Sequence, residues 1–109
     1  MQVLLDERLP TVLRHELKGH DARSVKFMGW TGIDNGRLLG LMAEAGFGVF
    51  LTIDQSLSTQ QDLRESGVAV VQLSAASNRL EDLLPLVPGI LGALESIRPG
   101  ERVIVRAPQ

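Results

Sequence analysis

The sequence predicts an α/β domain: a mostly parallel sheet with helices on both faces. Three observations predict it. Five short apolar runs, at 3–5, 22–27, 49–53, 68–73 and 103–105, have strand length. The segments between them carry apolar residues at helical spacing. The connections are short, which suits strands that all run in one direction with helices crossing back.

The first run, Val3-Leu4-Leu5, ends at Asp6 and Glu7 and reads as a buried strand emerging at its carboxyl end. Pro10 suits the first turn of a helix, with Leu9, Val12, Leu13 and Leu17 on its inner face and Gly19 as its stop. Residues 22–27 make a weak second strand in which Val25 and Phe27 stand two apart. After a loop at 28–32, Asp34 or Asn35 caps a helix whose face is Leu38, Leu39, Leu41, Met42 and Ala45. Gly46 and Gly48 close it.

Val49-Phe50-Leu51-Thr52-Ile53 is the clearest buried strand and ends at Asp54. Ser58-Thr59-Gln60-Gln61 has the form of a capping box opening a short helix. A strand follows at 68–73, then Asn78 with Glu81 three residues on, a second capping pattern. Leu80, Leu83, Leu84, Val87, Leu91, Leu94 and Ile97 share one helical face. Pro85 and Pro88 remove backbone donors within it, so a kink or two short helices are expected. Pro99-Gly100 ends this region, and 103–105 is the last strand. A chain of 109 residues is enough for one domain, placed at 1–106, with 107–109 as a loose tail.

Bulk composition narrows the function. The chain is 44% hydrophobic and carries a net charge of −2, with a pI near 5.6. A general basic field for nucleic acid is absent, so any such binding needs a local patch. Nine of the eleven basic residues are Arg, the better shape for bidentate phosphate contacts. With no Cys, disulfides, thiolate metal sites and Cys nucleophiles are excluded. No run approaches the roughly 20 apolar residues of a membrane span. The N-terminus lacks the charged and apolar regions of a signal peptide. A cytoplasmic protein is expected, with no membrane partner.

Open α/β sheets bind ligands beyond the carboxyl ends of their strands, where strand order reverses. If the first strand is central, with the second and third on either side, Asp6 and Asp54 stand at adjacent tips about 4.8 Å apart. Two carboxylates so placed suit Mg²⁺, which takes oxygen ligands and leaves room for substrate phosphates; Mn²⁺ suits the same ligands. The chemistry that follows is metal-assisted phosphodiester hydrolysis. The plainer reading of an acid after a strand is a helix cap or a solvated turn residue. Trp30 is expected to pack its loop rather than stack on a base. Arg8, Arg37 and Arg79 fall near the same end and suit phosphates. Gln60 follows the Asp54 loop and is placed to hydrogen-bond a nucleotide. His15 and His20 lack a partner at metal spacing.

Leu4-Leu5-Asp6-Glu7-Arg8-Leu9-Pro10 resembles the opening of a family of short, stand-alone bacterial PIN-like proteins. Gly19-His20-Asp21 with Gly29-Trp30-Thr31-Gly32 resembles that family's middle segment, and Leu51-Thr52-Ile53-Asp54 its threonine-any-aspartate strand end. The resemblance covers about residues 2 to 75. It implies a PIN-like fold and a Mg²⁺-dependent ribonuclease site, with RNA as substrate and an antitoxin protein as partner. Asp6 and Asp54 match family acids, and Glu7 belongs to the opening motif. The family usually places an Asp at the start of the helix after the tryptophan loop; here Asn35 aligns with it, with Asp34 just before. The catalytic candidates are therefore Asp6, Asp54 and Glu7, with Asp6 and Asp54 as metal ligands and Asp34 as the substitute third; Asn35 from the resemblance, and Arg8, Arg37 and Gln60 from their placement, are expected toward substrate.

Two other readings remain. Asn35 at an acid position fits a catalytically weak or inactive PIN-like interaction module, and the leucine-rich stretch at 80–97 offers a surface for a partner helix or a second copy of the chain. A phosphorylation receiver domain also carries acids after its first and third strands, but it needs a late lysine. The only lysines here are Lys18 and Lys26.

Overall fold

Three strands buried on both faces set the architecture: β1 (Gln2–Leu5), β3 (Val49–Thr52) and β4 (Ala69–Ser74), buried over residues 3–5, 49–52 and 69–73. In the computed structural model they form the middle of a five-stranded sheet of order β2-β1-β3-β4-β5, completed by β2 (Asp21–Ser24) and β5 (Arg102–Arg106). Every pairing is parallel. The structure describes residues 1–54 and 60–108, excepting the side chains of Asn35, Gln60, Gln61 and Asp62. Its radius of gyration, 12.5 Å, is close to the roughly 13 Å of one domain this long. Among the described residues no helix is long and apolar enough to cross a membrane.

The two faces alternate along each strand. On the front face, Leu4, Phe50 and Val70 pack under Leu38, Leu39 and Met42 of helix α1 (Asn35–Ala45) and Leu63 of helix α2 (Gln60–Ser66). On the back face, Val3, Leu5, Leu51, Val71 and Leu73 meet two groups of residues. One is Leu9, Leu13 and Leu17; the other is Leu83, Leu86, Ile90 and Leu94. The second group lies on α3 (Leu80–Leu83), a 3₁₀ turn (Leu84–Leu86) and α4 (Val87–Ser96). Pro85 and Pro88 divide this region into those three pieces, as the missing backbone donors require.

Three expectations are corrected. The segment after Pro10 is a 3₁₀ helix, Thr11–Glu16, not an α-helix. β-Branched Thr11 and Val12 favour helix weakly, and Val12 is exposed while Leu9, Leu13 and Leu17, four apart, are buried. β2 stops at Ser24 rather than running to Phe27, because the Ser24 hydroxyl accepts from the Phe27 N–H at 3.0 Å and turns the chain. Phe27 is left exposed, with the Arg23 guanidinium 4.9 Å over its ring. The third concerns α3. Asn78 and Glu81 form no capping box there; the Ser77 hydroxyl accepts from Arg79 N at 3.0 Å and donates to Asp82 at 2.6 Å. The capping box expected over 58–61 falls outside the described residues.

One connection differs in hand from its neighbour. Between β3 and β4 the chain crosses over the front face through α2. Between β4 and β5 it moves in the same direction across the sheet but crosses over the back face, through α3 and α4. Crossovers of parallel strands share one hand in about 98% of cases, so one of these two is exceptional. The contact that seats α4 is close. A Cβ built on Gly89 would lie 2.8 Å from Val105 Cγ1 of β5.

Candidate active site

Strand order reverses between β1 and β3, since the chain leaves β1 toward β2 on one side and returns to β3 on the other. The crevice expected in such sheets opens at their carboxyl tips. The register pairs Leu5 with Leu51, so Asp6 stands opposite Thr52, and the Asp6 N–H donates to the Leu51 carbonyl at 2.9 Å. Counting by two along each strand puts Leu4, Asp6, Phe50 and Thr52 on the front face.

Thr52 is the hinge of the arrangement. It is fully buried. Its hydroxyl donates to Asp6 Oδ2 at 2.6 Å and accepts from the Asp54 N–H at 3.0 Å. One side chain thus fixes the carboxylate of the first acid and the backbone of the second. Arg8 also touches both. Its N–H donates to Asp6 Oδ1 at 3.4 Å, and its Nη1 lies 3.9 Å from Asp54 Oδ2. The Asp54 side chain is 20% exposed and Asp6 only 9%, so Asp54 is the more accessible carboxylate. The Asn78 amide donates to the Arg8 carbonyl at 2.8 Å and ties this loop to the one after β4.

The remaining candidates divide. Glu7 and Arg8 are exposed beside Asp6. Asp34 is exposed and caps α1, its Oδ1 accepting from Arg37 N at 3.0 Å. Arg37 is exposed in the first turn of α1. Asn35 and Gln60 open α1 and α2; their side chains lie outside the described set. Among the described residues no group of three or more His, Cys, Asp or Glu side chains is arranged to hold a metal ion. Trp30 packs edge-on against Phe47, with ring centroids 5.9 Å apart, which accounts for it as a packing residue.

Comparison of the chain with protein-family models, curated proteins and solved structures gives no match. The reading of the site therefore rests on its residues.

Sequence reasoning gave Thr52 no role, although the signal was present: two residues before Asp54, it must share that residue's face. Gln72 was missed as well. It is 7% exposed, pairs in register with Thr52, and its Oε1 has no hydrogen-bond partner. A glutamine inside an otherwise apolar, doubly covered strand is the visible sign.

Asp6 and Asp54 are chemically apt for a hard divalent cation. They offer oxygen only, from two adjacent strand tips, with one carboxylate held by Thr52 and the other partly exposed. Mg²⁺ sites are commonly built from one or two carboxylates with water and substrate phosphate filling the rest, so the absence of a third acid among the described residues is compatible with the donor set.

Proposed function

We propose that the chain is a Mg²⁺-dependent endoribonuclease of PIN-like type and the toxin component of a toxin–antitoxin pair. The observation that carries this reading is the Thr52 hydroxyl joining the Asp6 carboxylate to the Asp54 backbone at the sheet's switch point. A buried hydroxyl committed to positioning two acids fits a site better than a solvated turn. The resemblance of Leu4–Pro10 and Leu51–Asp54 to short PIN-like proteins supports the same assignment.

In this reading Asp6 and Asp54 hold Mg²⁺ or Mn²⁺. When bound, such an ion supplies Lewis-acid activation of water and of the phosphodiester. Thr52 orients Asp6, and Arg8 stands at the mouth, exposed and able to meet a phosphate. Cytoplasmic location and an antitoxin partner belong to the same proposal.

The test is cleavage of a fluorescent single-stranded RNA with Mg²⁺ or Mn²⁺ by the wild type, Asp6→Asn and Asp54→Asn. Cleavage that a chelator stops, and that falls at least 100-fold in each folded variant, is expected. Equal cleavage by wild type and variants would remove the assigned site. A second reading, a PIN-like module that binds a partner without catalysis, is favoured by one observation: Asp34 serves as a helix cap and no third acid joins the pair among the described residues. Calorimetry finding no Mg²⁺ or Mn²⁺ binding that depends on Asp6 would select it.

A further inference from the structure

The path of the β4–β5 crossover leaves a surface bare beside the acids. Because α3 and α4 lie on the back, no helix among the described residues covers the front of β5. The front-facing residues there are Arg102, Ile104 and Arg106, paired in register with Val70, Gln72 and Ser74. Both arginines are exposed and Ile104 is 44% exposed. Arg8, Arg23 and Arg79 each lie against an acid, whereas among the described residues neither Arg102 nor Arg106 is in an ion pair or side-chain hydrogen bond. In a chain of net charge −2, this is a local, uncompensated cationic strip.

Its position matters more than its sign. Thr52 pairs with Gln72 and Ser74 with Arg106, so Arg106 lies in the same row as Asp54, two strands away and about 10 Å across the sheet. Arg102 is four residues back along β5, about 13 Å from Arg106, far enough to meet a separate phosphate. At the inner margin Ile104 pairs with the buried Gln72.

We propose that the open front face of β5 is the track along which single-stranded RNA reaches the Asp6–Asp54 site. Arg106 and Arg102 take separate backbone contacts, and Ile104 gives a base an apolar seat. The inference rests on the ribonuclease reading and adds the path of the substrate to it. RNA is the occupant that fits because the strip is cationic and runs directly into the acidic site.

The experiment measures binding of a ten-nucleotide oligouridine to wild-type protein in chelator, as a function of salt, beside cleavage of the same RNA in Mg²⁺. Arg102→Glu with Arg106→Glu is expected to weaken binding at least tenfold. It should also flatten the log–log salt dependence by about 1.4, the loss of two single-strand phosphate contacts. Arg102→Gln with Arg106→Gln should lose less, and Arg14→Glu with Lys18→Glu, on the segment covering the back face, should stay within twofold. If the Glu pair binds within twofold of a cleaving wild type, the track is wrong and the nuclease reading stands. If the wild type neither binds nor cleaves, that reading falls and takes the track with it. Should sedimentation reveal a dimer that Ile104→Glu dissociates, without RNA binding, the face is an interface between copies of the chain and the proposal is overturned.

Discussion

Replacing Thr52 by Val preserves its shape and its preference for strand while removing one oxygen. That oxygen makes two bonds, to the largely buried Asp6 carboxylate at 2.6 Å and from the Asp54 N–H at 3.0 Å. A hydrogen bond to a charged group contributes about 1.5–3 kcal/mol, and a neutral one about 0.5–1.5. Asp54 lies nearer solvent, so water offsets part of the second loss. The expected destabilisation is about 2–4 kcal/mol. With a urea m-value of about 1.5 kcal/mol/M, this lowers the midpoint by about 1–3 M at unchanged m. Thr52→Ser keeps the hydroxyl and loses one buried methyl, which costs about 1 kcal/mol. Combining Thr52→Val with Asp6→Asn should cost less than the sum of the two, because the second change removes the charge that the first left unpaired. Urea unfolding followed by circular dichroism measures the wild type and all four variants. A Thr52→Val midpoint equal to wild type, or a Thr52→Ser loss as large as the Val loss, would refute the bridging role.

Two further outcomes follow from contacts elsewhere. Gly89→Ala places a methyl 2.8 Å from Val105 Cγ1, and Val is too stiff to yield; despite the better helix propensity, a net loss of about 1–2 kcal/mol is expected, partly restored by Val105→Ala in the same thermal melt. Asp34→Ala should cost about 1 kcal/mol as a lost cap while Asp34→Asn costs little, with RNA cleavage by the Asn variant within severalfold of wild type; a 100-fold fall in its cleavage would place Asp34 among the ion's ligands instead.

Much of the frame was legible because its signals are local. An apolar run closing on an acid announced β1 and β3, and two prolines announced the break between α3 and α4. A cap at Asp34 or Asn35 was legible by position, and the structure selects Asp34. What stayed hidden depends on residues distant in the chain. Thr52 acquires its role only when register sets it opposite Asp6, 46 positions earlier. Phe27 reads as a strand residue until the Ser24 hydroxyl turns the chain. Asn78 looked like a cap, yet its amide is spent on the Arg8 carbonyl. The hand of the last crossover leaves no mark in periodicity, since an amphipathic helix buries one stripe equally well on either side of a sheet.

That last crossover also bears on how the chain assembles. Synthesis delivers β1 to β4 first, with α1 and α2 able to close the front of the nascent sheet. The opposite side of β3 and β4, with Leu51, Val71 and Leu73, must wait for the final third of the polypeptide to emerge and swing behind it. Until then a greasy wall faces solvent, and the time it stays bare is set by translation, not by the intrinsic speed of folding.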